Sequence, residues 1–207
     1  MNIVLLGIQG SGKGTLVSAL EKCLDFSLVS VGLLLREEIA TGSKLGQYIS
    51  SVIDGGNMLD TKTVMEVISG KLKHTKDITI FDGFPRNKEQ ANELDKIAKV
   101  DLVLYLNLPE QVAKERIFNR LTCTKCGNIS SKLIEKSTIC SKCGAKLASR
   151  VDDTPKAVEK RLEQYYKYTC PLLNKYIADN KVVELDATKP TNELLNIVLE
   201  VINEHNN

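Results

Sequence analysis

The sequence predicts an α/β domain with three layers, in which helices cover both faces of a parallel sheet. Short apolar segments alternate with helical segments along most of the 207 residues, which is the pattern of repeated strand–helix units. A glycine-rich loop joins the first strand to the first helix. Residues 121–151 break the alternation and are rich in Cys, Lys, Ser and Gly, so we expect a small insert there. A chain of this length can bury one sizeable core and still carry such an insert.

Strands are predicted where short apolar runs stand between turn-forming or polar segments. The first run leads directly into the glycine-rich loop, and the others follow the predicted helices. The expected strands are residues 2–6, 27–31, 78–81, 102–106 and 182–185.

Helices are predicted from apolar spacing and from residues that begin or end helices. Asp60 is a candidate N-cap, Pro109 and Pro155 suit a first turn, and Gly55-Gly56 ends the helix before them. The expected helices are residues 12–24, 34–40, 45–54, 61–72, 87–98, 109–120, 155–178 and a last one from residue 191.

Composition and charge narrow the class of protein. Hydrophobic residues make up 43% of the chain and charged residues 26%, with a formal net charge of +2. The lysines and arginines are spread along the chain, so nucleic acid is not an expected partner. No apolar run approaches the roughly 20 residues that span a bilayer, so we expect no membrane association. The apolar start lacks a basic flank, so we expect no signal peptide and a cytoplasmic location.

The glycine-rich loop has the composition of a phosphate-binding loop, or P-loop. Residues 7–15 read Gly-Ile-Gln-Gly-Ser-Gly-Lys-Gly-Thr. Glycines let backbone N–H groups approach phosphate oxygens, and the helix N-terminus adds a partial positive charge. Lys13 can bridge the outer phosphates of a nucleotide. Gly14 stands where Ser or Thr usually follows the lysine, with Thr15 one position later, and this ending is similar to that of nucleoside monophosphate kinases.

A second anion site is predicted at residues 82–86, Asp-Gly-Phe-Pro-Arg, directly after a buried strand. Such a segment lies at the carboxyl edge of a parallel sheet, where ligands bind. Asp82 can hold the waters of a Mg²⁺ ion, and Arg86 can grip a phosphate with both prongs of its guanidinium. No Ser/His/Asp triad competes, because the two histidines, His74 and His205, are expected on solvated helix surfaces.

Over essentially its full length the sequence resembles the adenylate kinase family, in particular its zinc-lid type of nucleoside monophosphate kinase. The string at residues 82–86 is highly specific to these kinases. The other matching segments are the glycine-rich loop, Gly32 with Arg36, Gln90, Arg116 with Arg120, residues 150–153, and Arg161.

The resemblance implies reversible, direct in-line transfer of the terminal phosphoryl group of ATP to AMP, giving two ADP, by a monomer that uses Mg²⁺ held through water by Asp82. The catalytic cations would be Lys13, Arg86, Arg120, Arg150 and Arg161. The ATP-binding residues would be Gly10, Ser11, Gly12, Lys13, Gly14, Thr15, Arg116, Arg120, Ile129, Ser130 and Lys189. The AMP-binding residues would be Val31, Arg36, Asn57, Met58, Leu59, Gly83, Phe84, Pro85, Arg86, Gln90, Arg150 and Arg161.

Departures from the family pattern concern the acceptor. Residues 31–33 read Val-Gly-Leu where Thr-Gly-Asp is usual, so Val31 cannot donate the hydroxyl hydrogen bond expected towards the acceptor. Gln9 stands in place of a usual proline, and residues 60–62 replace a Pro-Asp-Glu-like segment. The nearest alternative enzyme is a UMP/CMP-type kinase, which Val31 favours and the cysteine-rich insert disfavours.

Two Cys-x-x-Cys-Gly segments, residues 123–127 and 140–144, stand within the insert. Two such turns can supply four thiolates to a tetrahedral, structural Zn²⁺ ion. The expected ligands are Cys123, Cys126, Cys140 and Cys143. Unmetallated thiols or a redox pair are the alternative for these cysteines. A zinc-ribbon protein that binds nucleic acid is the alternative from another class, although the aromatic content of 5% without Trp offers little for base stacking.

The motifs described above divide the chain into three predicted parts. A core comprises residues 1–29, 60–120 and 154–207, residues 30–59 form an acceptor-binding segment, and residues 121–153 form a zinc-binding lid. Closure of the last two over the core would exclude water from the transfer.

Overall fold

The strands form two separate sheets in the computed structural model, which describes residues 1–72, 75–134 and 137–206. They are β1 (Asn2–Gly7), β2 (Ser27–Ser30), β3 (Thr79–Asp82), β4 (Leu102–Asn107), β5 (Arg120–Cys123), β6 (Ile129–Ser131), β7 (Leu147–Ala148) and β8 (Val182–Asp186). The larger sheet is parallel, in the order β2-β3-β1-β4-β8. The smaller sheet is antiparallel, in the order β6-β5-β7, and occupies the predicted insert.

Helices fill the connections between the parallel strands. They are α1 (Lys13–Leu20), α2 (Val31–Ala40), α3 (Lys44–Ile53), α4 (Thr61–Leu72), α5 (Lys88–Ile97), α6 (Glu110–Phe118), α7 (Pro155–Gln164), a π-helix (Tyr165–Thr169), α8 (Leu172–Ala178) and α9 (Thr191–Asn206). Asp60 caps α4 as predicted, because its carboxylate accepts from the Thr63 N–H at 2.9 Å. No helix within the described ranges has the length and apolarity to cross a bilayer.

Alternating side chains on the parallel strands build one apolar core on each face of the sheet. On β1, Ile3 and Leu5 belong to the core under α1, α6, α7 and α9. Val4 and Leu6 belong to the core under α2, α3, α4, α5 and α8. All four side chains are buried. The three-layer α/β architecture predicted from the sequence is therefore confirmed.

Several predicted helix boundaries are wrong. Helix α1 ends at Leu20 instead of residue 24, because the following N–H groups of Lys22 and Cys23 bond three residues back and turn the chain. Helix α2 begins at Val31, which was expected in the strand before it. Helix α6 ends at Phe118, because Arg120 pairs with Ser131 and begins β5.

The helix predicted over residues 155–178 is not continuous. The N–H of Cys170 bonds to the carbonyl of Tyr165, five residues back, which produces the π-helix. Pro171 has no N–H to continue the ladder, and α8 starts after it. His205 is exposed near the end of α9, as expected, whereas the expectation for His74 falls outside the described residues.

We expect Tyr176→Phe to raise the free energy of unfolding by about 1 kcal/mol. Tyr176 is 1% exposed, and its hydroxyl oxygen has no hydrogen-bond partner among the described residues. Removing this buried hydroxyl therefore removes a desolvation cost. Urea denaturation followed by circular dichroism measures the effect.

Tyr165→Phe is the matched control, because Tyr165 is also buried but its hydroxyl bonds to Tyr105. The free energy of unfolding of that variant should fall by about 1 kcal/mol. A Tyr176→Phe protein that is destabilised to the same extent would contradict the prediction.

Candidate functional site

The loops that follow β1 and β3 open side by side at the carboxyl edge of the parallel sheet. β1 ends at Gly7 and β3 at Asp82, and Leu5 of β1 is in register with Asp82. In open parallel sheets, ligands bind in the crevice beyond such strand ends. The topology therefore brings the glycine-rich loop and the segment 82–86 to one cleft.

The glycine-rich loop rests directly on α6. Gly10 has a φ of +86°, and a Cβ there would lie only 2.7 Å from the carbonyl oxygen of Ala113. Gly12, with a φ of +95°, is the N-cap of α1. The first N–H groups of a helix have no partner within the helix, so this end of α1 can receive an anion.

The Lys13 ammonium lies inside the loop. Its Nζ donates to the carbonyl oxygens of Gly7 at 2.7 Å and Ile8 at 3.0 Å, and to Ser11 Oγ at 3.2 Å. These acceptors are uncharged, so a phosphate oxygen would be a stronger partner. Burial lowers the pKa of Lys13 to about 8, and the charge of Arg86 acts in the same direction. The amine remains largely protonated at neutral pH, and a bound anion would raise its pKa.

Arg86 is held through its backbone and its side chain. Its N–H donates to Gln90 Oε1 at 2.8 Å, and its Nε donates to the Gly83 carbonyl at 2.9 Å. Its own carbonyl accepts from Thr169 Oγ1 at 2.7 Å. Burial lowers the pKa of Arg86, and the nearby Asp82 opposes that shift. A partly desolvated, firmly held guanidinium of this kind is suited to an anionic ligand.

An apolar pocket lies beside Arg86 and Gln90. A backbone N–H can only donate, so the contact with Arg86 fixes the Gln90 amide with its oxygen towards the backbone. Val31 and Gln90 are both buried. The pocket thus combines apolar walls with two amide residues and one cation, and ligand sites commonly place a few polar groups among apolar ones in this way. Its lining residues are Val31, Leu35, Ile53, Asn57, Met58, Leu59, Val64, Gly83, Arg86 and Gln90.

Two carboxylates just before α7 bind Arg120 and Arg161. Asp153 accepts both prongs of Arg120, with its closest contact at 2.6 Å, and its side chain is only 4% exposed. Arg161 lies 3.5 Å from Asp153 and 3.2 Å from the carboxylate of Asp152. Arg150 donates from Nε to Thr122 Oγ1 at 3.0 Å. The contacts of Asp153 join β5 of the insert to α7, whereas the contact of Arg150 with Thr122 lies within the insert.

The cations of the cleft lower one another's pKa values. Burial lowers the pKa of Arg150, and the positive charges of Arg120 and Arg36 lower it further. Burial also lowers the pKa of Arg36, which Asp152 partly offsets. Among the described residues, the cationic side chains of this cluster outnumber its carboxylates. The cations are Lys13, Arg36, Arg86, Arg120, Arg150 and Arg161, and the carboxylates are Asp82, Asp152 and Asp153.

Two of the remaining candidate residues, Arg116 and Ile129, lie against the glycine-rich loop. Arg116 Nη1 lies 3.9 Å from the Cβ position of Gly12. Ile129 of β6 approaches closely enough that a Cβ on Gly14 would lie 2.9 Å from its Cδ1. Ser130 is in β6 beside it. Lys189 is exposed in the turn after β8.

Phe84 and Pro85 contribute differently from their neighbours in the segment 82–86. The Phe84 side chain is fully buried and belongs to the core under α5. Pro85 is also buried and follows a cis peptide bond. Their side chains support the turn, while the backbone of Gly83 and the side chain of Arg86 line the pocket.

The four cysteines of the insert form one compact cluster. Their sulfur atoms all lie within 4.8 Å of one another, with Cys123 Sγ 3.4 Å from Cys143 Sγ and Cys126 Sγ 3.7 Å from Cys140 Sγ. Four thiolates about 2.3 Å from a tetrahedral Zn²⁺ ion would be about 3.8 Å apart. The backbone N–H of Cys126 points at the Cys123 sulfur and helps to lower the pKa of that thiol to about 6. The cluster could therefore hold a zinc ion.

Comparisons with known proteins agree with this geometry. A family model described as adenylate kinase matches residues 5–181. An adenylate kinase of Mycoplasma mycoides subsp. mycoides is 35% identical over 195 residues, which cover 90% of this chain and 92% of the relative. The adenylate kinase of Clostridium tetani is 34% identical over 98% of both chains, and that of Methanosarcina acetivorans is 37% identical over 91% of this chain and 92% of the relative. This chain belongs to the adenylate kinase family.

Membership of the adenylate kinase family makes the chain a phosphotransferase. The match includes the glycine-rich loop, the segment 82–86, the cysteine cluster and the aspartates before α7. It confirms the resemblance inferred from the sequence.

Some residues that hold the arginines of the cleft were given no role in the predictions from the sequence. Asp152 and Asp153 hold Arg120 and Arg161, whereas the sequence predictions included them only as part of the matching segment 150–153. Thr169, which contacts the Arg86 carbonyl, gave no signal because it stands within an ordinary helical pattern.

We expect Gly10→Ala to abolish phosphotransferase activity and to destabilise the protein by more than about 2 kcal/mol. A positive φ alone costs an L-residue about 1–2 kcal/mol, and the new Cβ would also overlap the Ala113 carbonyl. Thermal unfolding and an activity assay check both effects.

Gly42→Ala separates the two causes. Gly42 has a φ of +70°, but a Cβ there would meet nothing within 4 Å among the described residues. The free energy of unfolding of this control should fall by only about 1 kcal/mol, and its phosphotransferase activity should be unchanged. If Gly10→Ala and Gly42→Ala lost equal amounts of stability and activity, the contact between the loop and α6 would contribute to neither.

Proposed function

We propose that this enzyme reversibly transfers the terminal phosphoryl group of ATP to AMP, giving two ADP, by direct in-line transfer with Mg²⁺. The observation that carries the proposal is the set of Lys13 and five arginines around one cleft between the glycine-rich loop and the apolar pocket. Phosphoryl transfer depends on alignment and charge neutralisation more than on covalent chemistry. The name of the relatives, adenylate kinase, supports ATP and AMP as the substrates.

ATP would lie along the glycine-rich loop. The backbone of residues 10–15 and the Lys13 ammonium would bind its phosphates. Arg116, which is beside Gly12, would lie on the donor base. Ile129, Ser130 and Lys189 would complete the donor site.

AMP would place its base in the apolar pocket and its phosphate on Arg36 and Arg86. The backbone of residues 57–59 and the amide of Gln90 line that pocket. Val31 offers only methyl groups there, so discrimination between bases would depend on Gln90.

The transferred phosphoryl group would lie among Arg120, Arg150 and Arg161. These three positive charges outnumber the two carboxylates beside them, Asp152 and Asp153. The group would therefore arrive at a site of net positive charge. Asp82 would hold Mg²⁺ through water, since carboxylate oxygens are the ligands that this ion prefers. When bound, the ion would neutralise further phosphate charge.

Residues 30–59 and 121–153 would act as two covers over the core of residues 1–29, 60–120 and 154–207. Support comes from contacts between the parts: Leu33 Cδ2 lies 3.5 Å from the Cβ position of Gly127, and Ile129 lies against Gly14. These contacts would exclude water and limit hydrolysis of ATP. All of the proposed groups belong to one chain, so we propose that the enzyme works as a monomer.

We further propose that the cysteine cluster binds one structural Zn²⁺ ion. The sulfur spacing fits tetrahedral coordination, and the N–H of Cys126 offers the kind of hydrogen bond that stabilises a bound thiolate. When bound, the ion would hold the two Cys-x-x-Cys turns together. It would thereby fix β5, which begins with Arg120.

The acceptor assignment is tested by assaying AMP, UMP, CMP and GMP against ATP and GTP. AMP with ATP should give the highest kcat/KM. Preference for UMP or CMP would overturn the acceptor while leaving the phosphotransferase class intact, and Val31 would be the residue to examine first.

Lys13→Met should lower kcat by about 10³-fold or more with little loss of stability. The change removes the charge proposed to act on the outer phosphates but keeps a similar volume. Lys22→Met, at an exposed lysine just after α1, is the control and should retain full activity. Activity of the Lys13 variant within a few-fold of wild type would remove Lys13 from the phosphate site.

Protein purified without chelator should contain about one zinc ion per chain. A structural site of four thiolates can contribute about 10–16 kcal/mol of apparent binding energy. Cys140→Ser should therefore lower metal content, the thermal midpoint and kcat, while nucleotide still binds to the loop. Cys23→Ser, at an exposed cysteine outside the cluster, should change none of these. Native protein without metal, with all six thiols titratable, would refute the zinc site.

A further inference from the structure

The π-helix brings one hydroxyl group of the segment after α7 to the acceptor side of the cleft. Its extra residue per turn, marked by the bond from Cys170 N–H to the Tyr165 carbonyl, shifts the register of the chain before Pro171. Thr169 is the last residue of this π-helix and is 7% exposed. Isolated π-turns of this kind are often found at functional sites.

Thr169 makes a hydrogen bond to a residue far away in the sequence. Its Oγ1 donates to the Arg86 carbonyl at 2.7 Å, across 83 residues of chain. The Arg86 N–H donates on its other side to Gln90 Oε1 at 2.8 Å. The backbone of Arg86 is thus held at its carbonyl by Thr169 and at its N–H by Gln90.

The side chain of Arg86 continues this arrangement. Its Nε donates to the Gly83 carbonyl at 2.9 Å, which leaves the far end of the guanidinium to face the pocket that Arg86 and Gln90 line. A tilt of the Arg86 backbone would move this end and would also shift the Gln90 amide. Misplacement of a binding group by about 1 Å can cost about 10²-fold in rate.

We propose that Thr169 is a positioning residue for the acceptor. Through the Arg86 carbonyl it sets the guanidinium that grips the acceptor phosphate and, through the Arg86 N–H, the amide that faces the acceptor base. This inference rests on the proposed function, in which Arg86 and Gln90 bind AMP. Thr169 itself contacts neither substrate.

The test compares three variants of Thr169 by steady-state kinetics with ATP and AMP varied separately. Thr169→Val keeps the branched shape and removes the hydroxyl, and Thr169→Ser keeps the hydroxyl. We expect Thr169→Val to raise the KM for AMP by about 5–10-fold, the equivalent of one neutral hydrogen bond. The KM for ATP should stay within about twofold of the wild-type value. Thr169→Ser should retain the wild-type KM for AMP. Because Ser and Ala differ only by the hydroxyl, Thr169→Ala repeats the comparison if valine perturbs folding.

Thr79→Val is the matched control for the loss of a buried threonine hydroxyl. Thr79 is 2% exposed and stands at the amino end of β3, opposite the edge that carries the site. This variant should change the thermal midpoint without changing either KM.

A double variant tests whether the effect passes through Arg86. If it does, Thr169→Val should raise the KM for AMP much less in an Arg86→Lys background than in the wild type, because the forked grip that Thr169 positions is already lost. Additive effects would overturn the proposal. So would equal increases in both KM values, or an alanine variant that behaves like the serine variant. The activity of the wild-type protein on AMP is measured before any variant is made. Failure to phosphorylate AMP would refute the proposed function instead of the role of Thr169.

Discussion

Repulsion among like charges is the constraint on which the architecture of this site depends. Lys13, Arg86 and Arg36 approach one another from three different connections of the sheet, and partial burial strengthens their mutual repulsion. Asp82, Asp152 and Asp153 offset only part of it. The remaining positive charge is stabilised when an anion enters, so the cluster is better suited to binding a polyphosphate than to holding the fold together.

The buried pair of Arg120 and Asp153 shows how the protein keeps such a cluster folded. The side chains of Arg120 and Asp153 are 13% and 4% exposed, and the two-pronged contact satisfies several donors at once. Arg161 contacts the same carboxylate from α7. Since Arg120 begins β5 of the insert and Arg161 lies in α7, which follows the insert, the aspartates connect the insert to α7 at the point where the cations converge. A change at Asp153 would therefore affect lid placement and charge together.

The cysteine-rich insert shows a second constraint, which is its size. Among the described residues of this insert, the three short strands bury a cluster of Cys123, Cys140 and Leu147, with Leu121 and Ala145 against it. So small an apolar core cannot stabilise a module by itself, and small modules of this kind usually depend on disulfides or a metal. The convergence of four sulfur atoms supplies the missing cross-link if zinc binds. With zinc bound, the insert would present Ile129 to the glycine-rich loop and Gly127 to Leu33 as parts of one rigid unit.

The sequence alone determined the three-layer fold, the position of the insert and membership of the kinase family, because these depend on local patterns: apolar periodicity, the strand–loop–helix order and strings such as residues 82–86. It also singled out the cations, which the structure gathers around one cleft. Only the tertiary structure decided which partners hold them. The contact of Asp153 with Arg120 and the hydroxyl of Thr169 on the Arg86 carbonyl join segments distant in sequence, and the π-helix that replaces a continuous helix at Tyr165 ends at that threonine. Such contacts arise from the packing of whole elements against one another, so no local pattern of residues announces them.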